Sequence, residues 1–195
     1  MLWHSKYMER LRAAGLYRCR QFIGKWRLQP MRVGRWVEVR GIPRIEATNA
    51  TAGDGLRIWS EERQTYLTGP GRLSIGSDVF INSGVRIECH VSVTIGDHVL
   101  IGFDSFITDS DFHSVGGEPV RRAPVVIGPG CWIAAKVTIL PGVSVGGCTV
   151  VGANSVVTRD LPPRVLAAGN PARVIRTLDI PDLATAAWHE EKMIT

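Results

Sequence analysis

The chain has 195 residues, 45% of them hydrophobic, with 23 Lys and Arg against 18 Asp and Glu for a formal net charge of +5. That length admits one domain with appendages, and no apolar run approaches the ~20 residues of a membrane-spanning helix. The 21 glycines and 11 prolines are too many for a helical protein and too few for low complexity. Four cysteines, Cys19, Cys89, Cys131 and Cys148, lack CxxC spacing, so neither a zinc knuckle, a redox motif nor an oxidising compartment is expected.

Residues 1–36 form a basic N-terminal segment, and a short helix is expected over about 5–22, with Tyr7, Met8, Leu11 and Ala14 on one side and Lys6, Arg10 and Arg12 around it. Residues 1–44 carry eleven Lys and Arg against Glu9 and Glu38, whereas the rest of the chain carries twelve against sixteen acids. Trp3, Tyr17, Trp26 and Trp36 lie among these charges. Such a segment either caps the next element or makes peripheral contact with a membrane surface. A nucleic-acid partner is not expected, because no recognised motif accompanies the charge. The N-terminus lacks the apolar region of a signal peptide, so a cytoplasmic protein is the expectation.

Residues 37–72 read as irregular strands broken by Gly41, Pro43, Gly53, Gly55 and Gly69-Pro70-Gly71. A six-residue period then begins at Ile75, Ile81 and Ile87, with Val79, Val85 and Val91 four positions on. It slips by two residues near Val93-Thr94 and resumes at Ile95, Ile101 and Ile107. From Ile127 it runs through Ile133, Ile139, Val145, Val151 and Val157 without a miss. Six is neither the 3.6 of an amphipathic helix nor the 2 of a half-buried strand. It marks a solenoid whose six-residue units each form one flat side, with Gly, Asp or Asn turning the corners where positive φ is needed. Buried strands of an α/β sheet are the alternative, but no crossover helix fits between the hexads. The fold class is therefore mainly β, a parallel β-helix over 73–177 with one ejected loop at 109–124. Its ends need caps, before Ile75 and after Arg159, because open sheet edges aggregate. Leu161-Pro162-Pro163 stops the regular coil, and Pro181-Asp182 opens an expected C-terminal helix within 178–195.

Several strings carry a resemblance. Val93-Thr94-Ile95-Gly96-Asp97-His98-Val99-Leu100-Ile101-Gly102, then Thr108-Asp109-Ser110-Asp111-Phe112-His113, then Cys131-Trp132-Ile133-Ala134-Ala135 occur in that order. Val156-Val157-Thr158-Arg159-Asp160 and Ala168-Gly169-Asn170-Pro171-Ala172-Arg173-Val174-Ile175-Arg176 follow. Together they resemble the hexapeptide-repeat acyltransferases, above all the maltose and galactoside O-acetyltransferases and the O-acetyltransferases of polysaccharide biosynthesis. The resemblance implies a left-handed β-helix, an exception to right-handed crossovers, and a homotrimer with active sites between neighbouring prisms. It implies acetyl-CoA, or another acyl-CoA, as co-substrate without a metal, and a small-molecule or lipid-linked sugar as acceptor.

The resemblance also implies roles residue by residue. His113 stands where the family's catalytic histidine stands, and an imidazole with its ordinary pKa near 6.5 suits a general base. Asn82 matches the asparagine that positions the acceptor, while its other role is a plain corner residue. Asp109 and Asp111, placed with the acceptor site, either orient the imidazole or cap the turn. Trp132 matches the tryptophan beside the thiol arm, and Ala135 the backbone amide that binds the oxyanion. Ala153, Thr158, Arg159, Arg173 and Arg176 match the nucleotide end, where guanidinium forks fit phosphate oxygens. His90 and His98 fall on repeat corners and are expected to be solvated.

An amine acceptor, as in N-acetylation of an amino sugar, is open at this stage, as is a non-catalytic scaffold. The γ-type carbonic anhydrases share the β-helix but hold zinc with histidines of which two lie five residues apart. Five residues after His98 stands Phe103, and five after His113 stands Glu118, so that reading is disfavoured.

Overall fold

The computed structural model describes residues 26–114 and 116–179. The helix expected near the N-terminus and the one expected at the C-terminus lie outside them. Three flat parallel sheets form the sides of a prism, and the chain visits them in turn. Sheet A holds β1 (Arg32–Val33), β4 (Asn49–Ala52), β7 (Arg72–Ile75), β10 (Ser92–Ile95), β13 (Val125–Ile127) and β16 (Ser144–Val145). Sheet B holds β2 (Glu38–Gly41), β5 (Arg57–Ser60), β8 (Phe80–Ile81), β11 (Leu100–Ile101), β14 (Trp132–Ile133), β17 (Val150–Val151), β19 (Val165–Gly169) and β20 (Ala172–Thr177). Sheet C holds β3 (Arg44–Ile45), β6 (Tyr66–Thr68), β9 (Arg86–Glu88), β12 (Phe106–Thr108), β15 (Thr138–Ile139) and β18 (Val156–Val157). The expected β-helix is present, and its first coil already stacks at Arg32, which pairs with Thr51.

The six-residue period exists because one residue per side points inward and stacks on its equivalents. On sheet B, Ile58, Ile81, Ile101, Ile133, Val151 and Ala167 are in direct register and fully buried. Burying each large aliphatic contributes about 1.5–3 kcal/mol. Corners take the left-handed conformation at Asp78, Asp104 and Asn154, and also at His98, Lys136 and Cys148. The slip near Val93 has a structural cause. Ile75 pairs with Ile95, twenty residues on, whereas Ile133 pairs with Val151, eighteen on. The two additional residues widen the corner before β10, so Val91 stands 43% exposed and Val93 takes the buried place.

Both ends of the stack are closed. Leu28 and Met31 are buried under the first coil. At the far end β20 turns back antiparallel on β19 and forms the outermost strand of sheet B.

Candidate active site

Two edges of sheet C carry the residues singled out above. The first edge is the corner leading from sheet B into sheet C. Asn82 follows β8 there, is 8% exposed, and its Oδ1 accepts the Ser83 amide at 2.8 Å. Its carboxamide nitrogen donates to no group among the described residues. Small residues stack beyond it: Gly102 donates its amide to the Ile133 carbonyl, Ala134 to Val151 and Gly152 to Ala167. A Cβ on Gly102 would stand 2.7 Å from the backbone of Ala134 and Ala135, so that approach needs glycine. The Lys136 amide donates to Phe103 and that of Asn154 to Ala135. The amides of Ala135 and Ala153 find no acceptor among the described residues, which leaves donors directed at the groove. Trp132 on β14 lies 39% exposed beside it. Arg173 and Arg176 lie exposed on β20, at the far end of sheet B.

The second edge is where the chain leaves sheet C. After β12 it departs into the ejected loop, whose neck is held by the Ser110–Arg122 bridge and by the Ala123 amide donating to Asp109 at 3.0 Å. His113 sits just beyond that neck, exposed, its amide donating to the Asp111 carbonyl at 2.7 Å. Its imidazole has no partner among the described residues. Phe112 before it has φ 61°, a conformation that costs a bulky residue about 1–3 kcal/mol and that clusters at functional sites. Thr158 and Arg159 follow β18 on this same edge, both exposed.

Within one chain the strands of sheet C therefore separate Asn82, Trp132, Ala135 and Ala153 from His113, Thr158 and Arg159. The two aspartates also part company. Asp109 is fully buried, and its carboxylate accepts the amides of His90, Val91 and Ser92, each at 2.7 Å. It locks the widened corner of the preceding turn, which uses its oxygens on backbone. Asp111 is exposed.

His98 is exposed, as expected, with Nδ1 3.7 Å from Asp78. His90 departs from expectation: its Nε2 is buried and unpartnered among the described residues, with the ring edge-on to Phe112 at 5.4 Å. Sequence reasoning missed the outward side chains of sheet C altogether. Arg86, Glu88, Phe106 and Phe112 line an open concavity of about 310 Å³ beside the loop. The signal was present, since these side chains follow inward-pointing residues at fixed places in each coil.

Cys131 is a core thiol that donates to the Gly146 carbonyl at 3.1 Å, and burial pushes it up from 9.0 to about 12. Burial, then the neighbouring Asp109 carboxylate, raises Cys89 to about 11. Between pH 9 and about 12 the folded protein keeps a Cys131 proton that the unfolded chain releases, so this thiol's contribution to stability is complete below pH 9 and falls as pH rises through that window. Iodoacetamide at pH 8 is expected to label Cys131 at least roughly 100-fold more slowly in native protein than in urea, as read by mass spectrometry.

Residues 124–159 match the family of the bacterial transferase hexapeptide (six repeats). The chain is 36% identical over 145 residues to the galactoside O-acetyltransferase of Escherichia coli (strain K12), covering 69% of this chain and 67% of that one. It is 39% identical over 128 residues to the putative colanic acid biosynthesis acetyltransferase WcaF of the same organism, covering 65% and 69%. The chain belongs to the hexapeptide-repeat acetyltransferases. Among solved structures it is similar to the hexapeptide-repeat acetyltransferase VCA0836 from Vibrio cholerae O1 biovar eltor complexed with acetyl-coenzyme A. That match has a TM-score of 0.55 and 32% identity over 75% of this chain and 70% of that one. This hexapeptide-repeat acetyltransferase is accordingly a left-handed β-helix enzyme whose co-substrate is an acyl-CoA. Among the described residues no group of three His, Cys, Asp or Glu is arranged to hold a metal ion.

Proposed function

We propose that the enzyme transfers an acetyl group from acetyl-CoA to a hydroxyl of a sugar or polysaccharide precursor, with His113 as general base. The observation that carries this reading is His113 itself, an exposed imidazole without a partner among the described residues, at the neck of the ejected loop. The names of the relatives, a galactoside O-acetyltransferase and a colanic acid biosynthesis acetyltransferase, support a sugar hydroxyl as acceptor.

The thioester supplies an already activated acyl group. His113 takes the acceptor's proton as its oxygen attacks the thioester carbonyl. The oxyanion accepts the amide of Ala135, a donor set in rigid backbone that can contribute about 3 kcal/mol. The C–S bond then breaks, and the departing thiolate takes the proton back from His113, leaving an ester and free CoA. Asn82 offers its free carboxamide N–H₂ to the acceptor. Trp132 flanks the thiol arm in the small-residue groove, and Ala153, Thr158, Arg159, Arg173 and Arg176 receive the nucleotide end. Because sheet C separates the two edges within one chain, a homotrimer in which neighbours contribute opposite edges unites them.

The reading is tested by release of free thiol from acetyl-CoA across a panel of sugars, amino sugars and lipid-linked sugars. Transfer only to amines would overturn it. Trp132→Ala is expected to raise the KM for acetyl-CoA roughly 5- to 20-fold, since lost packing on the arm is worth about 1–2 kcal/mol. If an arginine reads the 3′-phosphate, CoA binds more tightly than dephospho-CoA; equal affinity reassigns the arginines.

A further inference from the structure

The outer face of sheet C carries an alternating column of cations and aromatic rings. Arg44 of β3, Tyr66 of β6, Arg86 of β9 and Phe106 of β12 lie in direct register on four successive coils. The Arg86 guanidinium stands 5.5 Å from the Tyr66 ring centre and 5.9 Å from that of Phe106. Each arginine is held by the glutamate two residues on, Arg44 by Glu46 at 2.6 Å and Arg86 by Glu88 at 3.0 Å. The other Glu88 oxygen accepts the Thr68 hydroxyl at 2.8 Å. Phe112 continues the column from Phe106, with centroids 6.4 Å apart and planes 16° apart, and the next residue is His113.

This arrangement has a definite chemical taste. The glutamates neutralise the arginines, so the face does not select a polyanion or a polycation. It offers aromatic faces, whose negative quadrupole attracts the polarised C–H groups of a sugar ring. Beside them it offers guanidinium donors and carboxylate acceptors for hydroxyls. The ion pairs and stacked rings hold these groups in place before any ligand arrives, which lowers the entropy lost on binding. Four rungs at about 4.8 Å span roughly 14 Å, longer than one sugar ring.

We propose that this column is a binding track for an oligosaccharide acceptor, holding the rings beyond the one that is acetylated. The proposal rests on the sugar-acceptor reading above and narrows it from a single sugar to a chain. The site of transfer lies at the Phe112–His113 end, and the track runs from there towards the first coil.

The test titrates the intact protein with methyl glucoside, methyl galactoside, cellotetraose and galactotetraose, following binding by saturation-transfer NMR and calorimetry. At least one tetrasaccharide is expected to bind 10-fold or more tightly than its methyl glycoside. Tyr66→Ala should remove that preference, Tyr66→Phe should retain it, and acetyl-CoA affinity should not move in either variant. Equal affinity for short and long sugars, absence of binding by all four, or a preference that survives Tyr66→Ala overturns the track. A change in assembly mass by light scattering on Tyr66→Ala also overturns it and assigns the column to a contact between copies. Thiol release on the methyl glycosides judges the transfer separately: acetylation without a length preference keeps the reaction and loses the track.

Discussion

His113→Ala is expected to lower kcat by roughly 10²–10⁴-fold, the range that a positioned general base supplies, with acetyl-CoA affinity nearly unchanged. The separation follows from geometry: His113 stands on the edge where the chain leaves sheet C, while Trp132 and the amide of Ala135 stand on the other edge. Stopped-flow or steady-state thiol release gives kcat, and equilibrium dialysis gives the cofactor affinity. Turnover near wild type would remove His113 from the mechanism. Asn82→Ala is expected to differ in kind, raising the acceptor KM with a smaller effect on kcat.

Asp109→Ala is expected to produce the largest loss of stability among single substitutions near the loop. The carboxylate is fully buried and serves three backbone amides at 2.7 Å. Removing it leaves those donors without their acceptor, and even with partial rehydration the cost is about 2–4 kcal/mol. For a chain of this size that lowers Tm by roughly 5–15 °C. Asp109→Asn should be intermediate, because its amide can keep one accepting oxygen but turns N–H groups towards other N–H donors. The experiment also separates two roles for this side chain. A corner lock loses Tm in both variants, whereas an imidazole-orienting group would lose kcat at constant Tm, and that second pattern would overturn the structural role.

Much of this enzyme was legible in one dimension because the solenoid is nearly one-dimensional. An inward position in a prism only one residue deep must be apolar, and it recurs whenever the chain has gone one-third of the way round. Ile127, Ile133, Ile139, Val145, Val151 and Val157 are all buried for that reason. The loop was legible as an interruption of the period, and His113 as the histidine at its base. Val91 misled, because a repeat count cannot register two additional corner residues until a neighbouring coil is laid beside them.

What the hexads do not encode is how outward and corner side chains meet across rungs. Asp109 meets the amides of residues 90–92 from 17 to 19 positions away, and nothing in its local string distinguishes that lock from a free carboxylate. His90 reads as a solvated corner residue until Phe112 folds its ring over it. Arg44, Tyr66, Arg86 and Phe106 are unrelated letters in sequence and become a column only through the register of sheet C. The period determined the coil, since burial acts on every sixth residue alike. The tertiary structure alone decided the site's surroundings, since its contacts run along the stack, perpendicular to the chain.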